Sequence, residues 1–197
     1  ILDWALNDPA AIGQNEDLKG KRLVIEYSSP NTNKPLHLGH CRNNVLGVVT
    51  ANLLQAASAE VIRVNLINDR GIHICKSMVA YAAFGEGRTP ESTKRKGDHF
   101  IGDYYVRFDS AFKAEYEAYV KTTDSPLELD NFFNSEASHW GSEARRMLRD
   151  WEAGDEAVRL LWKKMNGWCE AGFAETYERM GVEFDRVYKE SQTYLLG

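Results

Sequence analysis

The sequence predicts an α/β fold, a parallel sheet interrupted by a mostly helical insertion. Three observations predict it. Short apolar, β-favouring runs occur at Leu23-Val24-Ile25-Glu26-Tyr27 and at residues 60–67, and each is followed by apolar residues at helical spacing. The stretch 86–181 then carries most of the charge together with aromatic residues on helical stripes. Finally, residues 182–188 alternate apolar and polar, as a strand returning to a sheet does. Strand, helix, strand, helix in that order gives parallel strands joined by right-handed crossovers.

Residues 1–20 read as a connector with a helical turn or two. Residues 21–85 form the first part of the sheet-bearing domain. Within it, Pro30 and Pro35 hold the segment after the first strand in a loop. From Leu38 to Ala57, Val45, Leu46, Val48, Val49, Leu53 and Leu54 recur at helical spacing, and Ile72 to Phe84 is a second helix. The cluster Gly85-Glu86-Gly87-Arg88-Thr89-Pro90 breaks the pattern. Residues 86–181 then form a helical insertion, with helices over 101–120 and 143–180. Tyr104, Tyr105, Phe108 and Phe112 form one core stripe, and Trp151, Leu160, Leu161, Trp162, Met165 and Trp168 supply further core faces. Residues 182–197 return to the first domain.

With 43% hydrophobic and 27% charged residues, the 197-residue chain can bury a substantial core. No apolar run nears the ~20 residues that cross a bilayer, and no signal peptide is visible. The chain opens on Ile1 and reads as a piece of a longer protein. A net charge of −5 argues against bulk electrostatic binding of nucleic acid. The three cysteines are odd in number and form no CxxC pair. They read as reduced thiols of a cytoplasmic protein, with neither a disulfide frame nor a structural metal.

The chemistry concentrates between Ser28 and His40. A helix N-terminus leaves backbone N–H groups unpaired and carries partial positive charge. After a strand of an α/β sheet it faces the crevice where ligands bind. His37 and His40, three residues apart in the first turn, share a face and can donate to phosphate oxygens. Gly39 lets a base or ribose approach the backbone closely, and Lys34 adds a point charge. This combination suits attack on the α-phosphate of ATP with loss of pyrophosphate, a reaction governed by positioning and electrostatics. The bland alternative is a pair of solvated or helix-capping histidines.

The segment 28–47 resembles the signature of class I aminoacyl-tRNA synthetases, and in detail that of the arginyl-tRNA synthetases. The matching residues are Ser29-Pro30-Asn31, Lys34-Pro35, His37, Gly39-His40, Arg42 and Gly47. Residues 63–69, Lys96-Gly97-Asp98, Gly102-Asp103-Tyr104-Tyr105, residues 152–155, residues 182–185 and Glu190-Ser191 extend the resemblance over most of the chain. It implies the Rossmann-like, nucleotide-binding half of a catalytic domain and its helical connective insertion. The reaction implied is ATP-dependent activation of arginine, with ATP and Mg²⁺ as substrate, followed by transfer to tRNA(Arg). It also implies a cytoplasmic monomer that engages no membrane and meets tRNA mainly through regions outside this chain. His37, His40 and Lys34 would bind the phosphates and stabilise the transition state, and Gly39 would accommodate the adenosine. Ser29 and Asn31 would hold the amino and carboxylate ends of arginine, and Glu190 its guanidinium.

Each assignment has a structural alternative. Lys34 is a solvated loop lysine, Asn31 a turn residue, Glu190 a surface residue, and Asp69 a cap of the following helix. The family commonly has Asp-Trp-Gly and a glutamine two residues on, whereas here the run is Asp69-Arg70-Gly71-Ile72-His73. Its lysine loop and the residues completing the arginine pocket do not occur in these residues. The expectation is therefore a fragment carrying about half of an active site and inactive alone. A synthetase of other specificity and a non-catalytic tRNA- or partner-binding module are the competing readings.

Overall fold

A computed structural model describes residues 6–8 and 12–196. The helical turns expected in residues 1–20 lie largely outside the described residues. The described residues fall into two compact units, one containing those of 6–30 together with 37–67 and 177–196, the other 31–36 and 68–176.

The first unit is built on a three-stranded parallel sheet in the order β1-β2-β3, comprising β1 (Arg22–Glu26), β2 (Glu60–Ile67) and β3 (Arg186–Lys189). Helix α1 (Leu38–Ala56) follows β1. The expected apolar stripe of α1 is not its buried one. Asn44, Gly47 and Ala51 are buried, whereas Val45, Leu46, Val49 and Leu53 are at least half exposed. Small size decides this, because the Tyr27 ring lies against Gly47. A Cβ built there would fall 2.2 Å from Tyr27 Cγ. Tyr27 donates from its hydroxyl to the Glu183 carbonyl (2.7 Å) and packs on Phe184 with ring centroids 4.8 Å apart.

The third strand begins later than the alternation predicts. Residues 182–185 are not in the ladder, because the Asp185 carboxylate accepts the Arg63 N–H at 2.6 Å in place of a strand carbonyl. A short helix, α8 (Glu190–Thr193), follows β3 directly.

The second unit is helical, with α2 (Ile72–Phe84), α3 (Pro90–Thr93), α4 (Gly97–Thr122), α5 (Leu129–Phe133), α6 (His139–Ala153) and most of α7 (Glu156–Met180). The single helix expected over 143–180 is two helices. Gly154 takes the left-handed conformation (φ 87°), and Asp155 accepts the Val158 N–H at 2.9 Å to start the next helix. Leu160, expected in the core, is 62% exposed, whereas Trp151, Met165 and Cys169 are buried. Tyr81, Phe100, Tyr104 and Trp168 pack edge to face, with centroids 5.1–6.2 Å apart. Two helices approach closely at α4 and α7. A Cβ on Gly97 would lie 1.8 Å from the Trp168 carbonyl oxygen, and one on Gly172 2.4 Å from the Asp98 nitrogen.

All three cysteines are free. Burial pushes the Cys75 thiol up to about 12 and raises that of Cys169 as well, so both are inert at neutral pH. No described helix is long and apolar enough to cross a membrane.

Candidate active site

In a parallel sheet all strands end on the same edge, and that edge bounds the ligand crevice. In the first unit, Ser29 follows the end of β1 and Glu190 follows the end of β3, two strand spacings apart, or about 10 Å. Helix α1 opens at the same edge, after the loop that leaves β1.

His37 is the N-cap of α1, and the two histidines close a reciprocal cap. His37 Nδ1 accepts the Gly39 N–H (3.1 Å), His40 Nδ1 accepts the His37 N–H (3.2 Å), and the ring centroids are 4.1 Å apart. Capping and chemistry are therefore not alternatives here. An Nδ1 that accepts a backbone N–H carries no proton, so in each neutral ring the proton sits on Nε2. The cap thereby assigns the proton of both neutral imidazoles to Nε2. A Cβ on Gly39 would lie 2.9 Å from His37 Cε1, so a larger residue there displaces the ring.

Ser28 and Ser29 both have positive φ, 71° and 45°, which side chains disfavour and which functional loops retain. They are held there by several contacts. The Ser29 N–H donates to Asn65 Oδ1 (3.0 Å), the Ser29 hydroxyl to Glu26 (2.9 Å), and Ser28 shares a hydrogen bond with the Tyr177 hydroxyl (2.7 Å). The sequence reading missed Asn65 and Tyr177. A buried asparagine inside an apolar strand was a usable signal for the first, and nothing local marks the second.

Asn31 and Lys34 belong to the second unit. There they line a cavity of about 200 Å³ together with Asn33, Arg70, His73 and Tyr105. Asn31 forms a parallel bridge with Asn68, and the Thr32 N–H donates to the Asn68 carbonyl (3.1 Å). Asn33 is 3% exposed, and its Oδ1 has no hydrogen-bond partner among the described residues. Arg70 is paired with Glu152 at 2.7 Å and lies over the Trp151 ring. The lining thus offers the Lys34 ammonium and the Asn31 and Asn33 amides to a small ligand, with the Arg70 charge already met by Glu152. Asp69 does not cap α2, whose N-cap is Gly71. Its buried backbone carbonyl accepts from Trp162 (2.6 Å) and Asn166 (3.1 Å).

His73 shares a 3.0 Å hydrogen bond with Tyr105. Packing of its ring, then Lys76 and Lys34, lower its pKa below the ordinary 6.5. A depressed imidazole favours the folded state fully above the ordinary value, and that contribution fades as pH falls through the lowered one. Chemical-shift titration should give His73 a midpoint below 6.5, and Lys34→Met should raise it. A midpoint at or above 6.5 contradicts this surrounding.

A family model described as "tRNA synthetases class I (R), catalytic domain" matches residues 5–194. The chain belongs to the class I arginyl-tRNA synthetases. It is 54% identical over 182 residues to an arginine–tRNA ligase of Phocaeicola vulgatus and 55% identical over 175 residues to one of Bacteroides fragilis. Those matches cover 89% of this chain but only 29% and 28% of the two relatives, so the chain spans less than a third of their length. A Thermus thermophilus arginyl-tRNA synthetase structure superposes with a TM-score of 0.62 at 25% identity, covering 90% of this chain and 25% of that one. The parallel sheet and the helix that follows its first strand are thus those of the Rossmann-like synthetase fold. Among the described residues, no group of three or more His, Cys, Asp or Glu is arranged to hold a metal ion.

Proposed function

We propose that the protein carrying this chain is an arginine–tRNA ligase. The arginine carboxylate attacks the α-phosphorus of Mg²⁺-bound ATP. The bond to the bridging oxygen breaks, and pyrophosphate leaves with the electron pair. A terminal ribose hydroxyl of tRNA(Arg) then attacks the arginyl carbonyl, loses its proton and displaces AMP. In this reading His37 and His40 donate from Nε2 to the phosphate oxygens as charge builds on them. Gly39 leaves room for the adenosine, and Lys34 contributes a point charge. Ser29 and Asn31 hold the ends of arginine. Glu190 pairs with the guanidinium, whose planar fork matches a carboxylate.

The observation that carries the reading is the reciprocal histidine cap, which supplies two imidazole donors at the ligand-binding edge of a synthetase sheet. Residues 21–85 and 182–197 are read as catalytic domain and 86–181 as its connective insertion, in a cytoplasmic monomer whose tRNA contacts lie mainly outside this chain. The test is pyrophosphate exchange by the full-length protein across amino acids, with and without tRNA. Exchange with arginine alone among them supports the reading, and exchange with another amino acid overturns it. Glu190→Gln should weaken arginine binding at least tenfold while changing ATP affinity little. Equal losses for both ligands in calorimetry would remove Glu190 from the arginine pocket.

A further inference from the structure

On a chain of net charge −5, three arginines converge on one surface cavity of the second unit. Arg88, Arg95 and Arg107 line about 240 Å³ together with Thr93, Phe100, Asp103 and Tyr104. Asp103 is the one acidic lining residue, and with Glu86, which pairs with Arg88, the three arginines keep a net charge near +1. Like charges gathered at one place repel unless an anion joins them.

The three guanidinium groups are held differently. Arg95 makes a two-pronged pair with Asp103, both bonds at 3.0 Å. Arg88 is paired with Glu86. These pairs are solvent-exposed and therefore weak, so Arg88 can exchange its partner for a stronger anion. Arg107 lies over the Phe84 ring, 4.6 Å from its centroid, and has no ion pair or hydrogen bond among the described residues. This cation–π contact holds the guanidinium near the cavity without an ion pair.

Tyr104 supplies a further donor. Its ring is 5% exposed and wedged between Tyr81 and Phe100. Its hydroxyl makes no hydrogen bond among the described residues, and Arg88 and Arg107 both act on it electrostatically. Burial raises its pKa, so the hydroxyl stays protonated and able to donate. The converging donors exceed what one carboxylate accepts and match the oxygens of a phosphate, for which arginine forks are the preferred partner.

We propose that this cavity binds a phosphate group, with Arg88 and Arg107 forking its oxygens and Tyr104 donating a further hydrogen bond. The group is borne by a small phosphate ligand or by an RNA backbone. The site shares no residue with those assigned to arginine activation and does not depend on that assignment.

The test titrates the full-length protein at low salt with inorganic pyrophosphate and, separately, with a short RNA duplex. Arg107→Gln, Arg88→Gln and His40→Ala are compared, with circular dichroism confirming that each is folded. Each arginine variant should lose about tenfold in affinity for at least one probe, and that binding should persist in His40→Ala. Arg107→Lys should not restore it, because an ammonium lacks the fork. Loss confined to pyrophosphate identifies a small phosphate ligand, and loss confined to RNA identifies the backbone. Unchanged affinity for both probes in both arginine variants overturns the proposal. So does binding that His40→Ala abolishes and the arginine variants leave intact.

Discussion

Replacing His37 or His40 with alanine in the full-length protein should lower the rate of arginine activation by roughly 10²–10³-fold, the usual effect of removing one donor to a developing oxyanion. Arginine affinity should hardly change, because neither imidazole is assigned to the amino acid. The histidine cap complicates the measurement, since His37 also holds the Gly39 N–H and His40 the His37 N–H. Loss of a cap alone destabilises a helix by about 0.5–2 kcal/mol. His37→Asn separates the two roles, because asparagine is a strong N-cap acceptor but has no counterpart of Nε2–H at the imidazole position. It should keep the thermal stability and still lose the rate. A His37→Asn enzyme with full activity would reduce the histidine to a helix cap. Unchanged kcat in both alanine variants would remove the pair from the mechanism.

The second large effect lies in the helical unit. Asp98 is 1% exposed and ionically paired with Lys96, whose ammonium donates to both carboxylate oxygens (3.0 and 2.9 Å) and to the Thr176 hydroxyl (2.8 Å). The His99 N–H donates to the same carboxylate at 3.0 Å. Lys96 thus ties the first turn of α4 to α7 at the place where Gly97 and Gly172 let the two backbones meet. Lys96→Met leaves Asp98 buried without its counter-charge, which costs about 3–5 kcal/mol. The lower end applies, because a quarter of the Lys96 side chain remains open to water. At roughly 2–4 °C per kcal/mol for a chain of this size, Tm should fall by about 6–12 °C. The double variant Lys96→Met/Asp98→Leu removes both charges and should recover most of the loss. A single variant as stable as the parent would show that the pair contributes nothing to the unit.

Much of the fold was legible because strands and helices announce themselves by local period. β2 and α2 run over the expected 60–67 and 72–84, and the parallel pairing follows from their order. Boundaries failed where a side chain took over a backbone role. Asp185 substitutes for a strand carbonyl and delays β3, and Gly154 with Asp155 ends one helix and caps the next. The candidate site was legible where its residues are contiguous, from Ser29 to His40. Asn65 and Tyr177 were not, because Asn65 reaches Ser29 from 36 positions away and Tyr177 reaches Ser28 from 149.

By itself the sequence determined the strand–helix–strand–helix order of the first half, the family, and the presence of two histidines at a helix N-terminus. These rest on periodicity, turn residues and a contiguous motif, all short-range properties. The three-dimensional structure decided which imidazole nitrogen carries the proton. It alone showed that α1 buries Asn44, Gly47 and Ala51 instead of its valines and leucines, and that three arginines separated along the chain face one cavity. The burial of α1 and the arginine cavity depend on which distant groups pack against each side chain, and local sequence does not encode that. The tautomers follow from rotamers in one helical turn, where each Nδ1 faces a backbone N–H two or three residues away, and residue identity alone does not fix those rotamers.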